Sequence, residues 1–182
     1  MLQGRTSACG PAARFGGLLA LALLAAGPAA AAPTKSAVSA DGRTLTLAPG
    51  ELVVARLDAG GRLALVSARP APASAALPPK PGQGSLEPSA PGALAFLLGV
   101  EGGKSTLKID SGLDQAVDYR ATLRRDGKAA DEPARVCTVL PLLAGWEQWS
   151  YAVSQLTLSG FAAKPTNEVV CSGPEHQSEM LP

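Results

Sequence analysis

Seven residues, Gly145-Trp-Glu-Gln-Trp-Ser-Tyr151, gather the side chains of this sequence best suited to hold a ligand. Two indoles on one short segment can stack on a sugar ring or anchor a protein partner, and a tyrosine adds a ring with a polar tip. Glu147 and Gln148 would supply hydrogen bonds to hydroxyls. Trp146, Glu147, Trp149 and Tyr151 are therefore the candidate binding residues, placed on a loop close after Cys137. The opposing expectation is structural and stronger. Large rings mostly bury, and a chain with only 2 Trp, 2 Tyr and 3 Phe has few other side chains to plug the end of a domain. Alternation along the segment would let one tryptophan face inward and the other outward.

Catalytic chemistry finds little to work with, and no catalytic residue is assigned. A Ser–His–acid arrangement needs a histidine, and the only one, His176, lies six residues from the C-terminus in a polar tail. One histidine and the methionine Met180 make neither a zinc cage nor a copper site, so no metal and no cofactor is expected. Glu147 is the candidate acid of an alternative reading, a carboxylate-dependent hydrolase acting on envelope carbohydrate. That reaction requires a second carboxylate roughly 5–10 Å away. Gly99-Val-Glu-Gly-Gly-Lys-Ser-Thr106 has the look of a phosphate loop, but Leu98 stands where the motif requires its first glycine. The segment also opens onto a strand pattern. A β-turn is the reading.

The elements that would position these residues follow a secretory leader. Arg5 and Arg14 precede an apolar run from Phe15 to Ala26, Gly27-Pro28 breaks it, and Ala29 to Ala32 offer a small-residue cleavage site. Residues 1–32 are read as a cleavable signal peptide. The rival is an uncleaved anchor, which wants roughly 20 apolar residues and a better exit half than Pro28 followed by alanines. Cleavage removes Cys9 and two of the 16 basic residues, leaving 14 against 15 acidic, a net charge of −1. That scattered balance gives no basic stripe for nucleic acid and no polybasic membrane surface. Cys137 and Cys171 remain as an even pair, and in an oxidising compartment they should form a disulfide.

Residues 33–182 read as a single domain in which alternation dominates. Strand patterns fall at 43–47, 51–57 and 62–67, joined by turn signals into what reads as a meander. They resume at 93–100, a continuous apolar run suited to burial on both faces, and continue at 104–110, 117–124, 135–140, 155–159 and 168–171. In 117–124, Val117, Tyr119, Ala121 and Leu123 should face in. Residues 69–92 carry seven prolines with alanine, glycine and serine and read as a surface excursion, since proline cannot donate to a sheet ladder. The fold expected is an all-β, antiparallel two-layer β-sandwich with one disulfide, an Ig-like arrangement or small barrel being the alternative. The function expected is that of an exported, periplasmic or secreted, non-enzymatic binding or structural module. Its partner would be a protein or an envelope component, with no membrane insertion after cleavage.

Overall fold

Alternation along residues 116–125 decides which side of the chain faces the core. Val117, Tyr119, Ala121 and Leu123 are each at most 4% exposed, while Arg120 and Arg124 are exposed. The period of two turns this apolar set onto one face of a strand. A computed structural model describes residues 35–72, 86, 90–128 and 130–173, all within one compact unit. The expected signal peptide, His176 and most of the proline-rich stretch lie outside the described residues.

The strands, in chain order, are β1 (Ala37–Val38), β2 (Thr44–Leu47), β3 (Glu51–Leu57), β4 (Leu63–Pro70), β5 (Ala93–Glu101) and β6 (Lys104–Ser111). They continue with β7 (Ala116–Arg125), β8 (Glu132–Ala134), β9 (Val136–Cys137), β10 (Ala144–Trp149), β11 (Val153–Lys164) and β12 (Cys171–Ser172). Sheet one has the order β1-β2-β11-β7-β8, sheet two the order β10-β6-β5-β3-β4, and β12 pairs with β9 alone. Every pairing is antiparallel. The sheets share a core to which Leu45, Leu47, Tyr119, Leu123, Leu156 and Leu158 of sheet one and Val53, Phe96, Leu98, Leu107 and Ile109 of sheet two contribute. This is the expected two-layer all-β architecture. Cys137 is bonded to Cys171.

Several strand expectations are corrected. Residues 43–67 are not a meander, because β2 pairs with β1 and β11 while β3 and β4 form a hairpin in the other sheet. Ala48-Pro49-Gly50 is a corner between sheets. Gly50 takes φ +80°, the Ser36 hydroxyl accepts from the Ala48 N–H at 2.9 Å, and Glu51 accepts from the Ser36 N–H at 2.7 Å. The corner carries Leu45 and Leu47 of one sheet and Val53 and Ala55 of the other into the same core. The expected strand 135–140 is reduced to β9, which pairs with β12, and an isolated bridge from Val139 to Val117, while β8, just before it, pairs with β7.

The β3–β4 turn shows why its last glycine is required. Asp58 accepts from the N–H groups of Gly60 and Arg62, both at 2.8 Å, in an Asx arrangement. Gly61 has φ +74°, and a Cβ there would lie 2.2 Å from the Phe161 carbonyl oxygen. No other residue fits.

Candidate functional site

The aromatic segment expected as a loop is largely the edge strand β10, paired with β6 so that Trp146 lies opposite Lys108 and Gln148 opposite Thr106. Its approach is a turn over Leu140–Leu143 in which the Leu143 N–H donates to the Leu140 carbonyl at 3.3 Å. Pro141 and Leu142 are the central residues, and Leu142 has φ +54°, as the third position of a type II turn demands. The turn is pinned where the Leu142 N–H donates to the Leu113 carbonyl and the Ser111 N–H to that of Leu143, both at 3.0 Å. Gly145 then permits close approach to β9's continuation, since a Cβ there would meet the Val139 side chain at 2.9 Å.

A strand sends successive side chains to opposite faces, and that separates the four candidate residues. Trp149 points into the sandwich and is 5% exposed. Trp146 lies on the outer face of sheet two, half-buried, with the Lys108 ammonium 4.8 Å from its ring centroid. The indoles therefore form no common stacking surface. Tyr151, past the end of β10, packs against the core, and the Arg125 guanidinium lies 3.4 Å above its ring. Arg125 is held there by an ion pair to Glu132 at 2.8 Å.

Glu147 follows Trp149 to the inner side. Its Oε1 accepts from the Cys137 N–H at 2.6 Å and from the Tyr119 hydroxyl at 3.4 Å. Burial raises its carboxyl above the ordinary value; the Cys137 N–H, the Tyr119 hydroxyl and Arg135 oppose the shift. Tyr119 is pushed well up, first by burial and then by the neighbouring Glu147 charge. The Tyr119 ring stacks on Phe161 at 6.1 Å, and Phe161 meets Phe96 edge-on at 6.2 Å. Glu147 thus ties the disulfide-bearing strand β9 to the aromatic core through an acceptor that two buried donors need.

Where β10 ends, a cavity of about 510 Å³ opens against the β5–β6 hairpin, lined by Gly99, Glu101, Lys104, Thr106, Gln148 and Trp149 among others. Gly99 stands opposite Thr106, and Thr106 opposite Gln148, so a side chain is missing where the strands would otherwise fill the face. The hairpin tip is Gly102-Gly103, at φ +58° and +76°, the two-residue turn that the right-handed strand twist favours. The segment 99–106 is thus the β-turn expected, and it also walls the cavity. A second cavity, about 400 Å³, shares Gly99 and Glu101 and extends toward Pro49, Gly50 and Ala71.

Of the four candidate residues, only Trp149 lines the larger cavity. Trp146 lies two residues from Gln148 on the same face, and Glu147 faces inward. Gly99, Glu101, Lys104 and Thr106 drew notice in the sequence only as a failed phosphate-loop pattern read as a β-turn; it is strand register that brings them beside β10. Among the described residues no cluster of three or more histidine, cysteine or acidic side chains could hold a metal ion, and no helix is long and apolar enough to cross a membrane. No protein family, curated protein or solved structure matches the chain.

Proposed function

We propose that this chain is an exported, non-enzymatic binding module of the cell envelope whose partner is a protein presenting an extended segment. The observation that carries the reading is the cavity at the end of edge strand β10. An edge strand offers main-chain donors and acceptors to an added strand, and an adjacent pocket selects one of its side chains. Among the described residues β10 has no sheet partner beyond β6. The Ser105, Thr106, Gln148 and Ser150 side chains give the cavity uncharged hydrogen-bonding groups, with Glu101 and Lys104 as one charge of each sign. Export is supported by the leader-like residues 1–32 and by the Cys137–Cys171 bond, which persists in oxidising compartments.

The hydrolase reading has one supporting observation, the raised affinity of Glu147 for its proton, which a general acid needs. Against it, that carboxylate already accepts from the Cys137 N–H and the Tyr119 hydroxyl.

The test is selection of displayed random dodecapeptides on the purified protein, followed by titration of a synthetic winner. Lys104→Trp, at an exposed position on the cavity wall, and Gln148→Lys should each weaken binding at least about tenfold with the melting curve unchanged, the loss of one well-packed pocket contact. Equal affinity for both variants and the parent would place the partner elsewhere.

A further inference from the structure

The two layers of the sandwich do not match strand for strand. At one side the sheets meet as β4 beside β1, and the Leu63 N–H at the head of β4 donates to the carbonyl of Gly42, in the turn after β1, at 2.7 Å. At the other side β10 lies over β9, where Glu147 accepts from the Cys137 N–H and Gly145 closes on Val139. Between these two contacts sheet one holds β2, β11 and β7, and sheet two holds β3, β5 and β6. β9 continues sheet one, because Val139 just after it exchanges both main-chain bonds with Val117 of β7, at 2.8 and 3.0 Å. Thr138 bonds from the opposite edge, its N–H donating to the Val170 carbonyl at 2.9 Å, and β12 pairs there. Among the described residues, β12 is therefore the strand with no counterpart in sheet two.

Both sides of that gap are equipped for a strand. The Ser111 N–H of β6 donates to the Leu143 carbonyl, so by alternation Gly145, Glu147 and Trp149 bond to β6. The N–H and C=O groups of Trp146 and Gln148 then point away from it, along the open edge. Opposite, residues 167–173 are all exposed. Of the seven large apolar residues exposed among the described residues, four lie at this gap: Leu142 and Leu143 on the turn into β10, Val169 and Val170 just before β12. Each is more than half exposed. Exposed apolar side chains grouped in this way mark contact surfaces. An inward-pointing charge often guards an edge strand, and the one here, Glu147, is turned onto Cys137 and Tyr119.

We infer that the segment accepted by β10 is a sixth strand for sheet two, donated by a partner protein, lying over β12 with apolar side chains at alternate positions on its inner face. The inference rests on the strand-addition reading above and adds β12 to the site. The segment's main chain bonds Trp146 and Gln148. Its residue beside Gln148 faces outward, toward the cavity. The residues on either side of that one turn inward and face β12 and the valines before it across a sheet spacing of about 10 Å.

Hydrogen exchange and titration of the selected dodecapeptide on the full chain test this. In the free protein the Trp146 and Gln148 amides should exchange faster than those of Glu147 and Trp149, and the peptide should slow both at least about tenfold. Val169→Ser combined with Val170→Ser should weaken the peptide at least about tenfold with the melting curve unchanged. Serine at the peptide's inward positions should do the same. Parent-like affinity of the double variant, with Lys104→Trp still weakening binding, would leave the cavity reading standing and overturn this one. Slow exchange of both amides in the free chain would show an edge already occupied, and would overturn it too. So would a dimer, seen by light scattering, that the peptide dissociates, because the occupant would then be a second copy.

Discussion

Replacing the two tryptophans one at a time separates support from exposed surface. Trp149 is 5% exposed in the shared core. Its ring buries on the order of 150–250 Å², which at about 25 cal/mol per Å² sets an upper bound of roughly 4–6 kcal/mol. Truncation also leaves a cavity, and measured losses for buried Trp→Ala run about 3–5 kcal/mol. Against a domain stability of about 5–15 kcal/mol, Trp149→Ala brings the fold near its limit, so Trp149→Phe should be measured beside it. Trp146 is half-buried and has the Lys108 ammonium over its ring at 4.8 Å. Partial burial and a contact worth about 0.5–2 kcal/mol predict a loss of about 1–2 kcal/mol for Trp146→Ala. Urea unfolding followed by circular dichroism gives both values on one scale. In the parent, loss of the blue-shifted part of the tryptophan emission should follow Trp149. A larger loss for Trp146→Ala than for Trp149→Ala would refute the assignment of core and outer face.

Three further perturbations test other parts of the fold. Replacing both Cys137 and Cys171 with alanine should lower stability by about 3–4 kcal/mol on the loop-entropy account, given their separation of 34 residues; a urea midpoint unaltered by the change would contradict it. Glu147 holds its proton more tightly folded than unfolded, chiefly through burial. Its contribution to stability is therefore fully present below the unfolded value of 4.5 and lost as pH rises through the folded value. Asp118 shifts the other way, held down by Lys164 and Thr138, so its contribution is present above 3.8 and lost as pH falls. Between pH 4.5 and 7, then, Glu147→Gln should flatten the decline seen in the parent, and parallel curves would reject the role given to that carboxyl. Leu142 is 69% exposed at φ +54°, so Leu142→Asn should stabilise by up to about 1 kcal/mol, because asparagine tolerates this conformation and little packing is lost. A lower melting temperature would show that the leucine side chain makes a contact that matters.

Much of the fold was legible because it rests on period and punctuation. The inward set Val117, Tyr119, Ala121 and Leu123, the doubly buried run from Ala93 to Leu98, and the Gly102-Gly103 turn follow from alternation, continuity and glycine placement. What was not legible depends on which strands meet. Ala48-Pro49-Gly50 has the composition of a hairpin turn and serves as a corner between sheets. Both uses need proline's fixed φ and glycine's positive φ, so local sequence cannot distinguish them. Edge strand β10 was hidden for a related reason: Gly145 and the mixed residues around it lack the β-branched content of a strand. Pairing with β6 and the close fit to Val139 supply what propensity does not.

The site was less legible than the fold, and the reason is geometric. The aromatic cluster in the sequence is one-dimensional, whereas a strand distributes its residues between two environments. Trp146 and Trp149, three apart, are sent to opposite faces by the same period that made β7 easy to read. Glu147, grouped with them as a ligand contact, is drawn inward with Trp149 and meets Cys137 and Tyr119. The cavity, by contrast, is made by residues far apart in sequence. Gly99, Thr106 and Gln148 line up only because three strands are in register. Gly99 matters there for the side chain it lacks, a property that no motif advertises. Lys108 and Asp110, both charged, are nonetheless buried on strand β6. Topology, which brings the cavity's residues together, is the level at which this chain's function has to be sought.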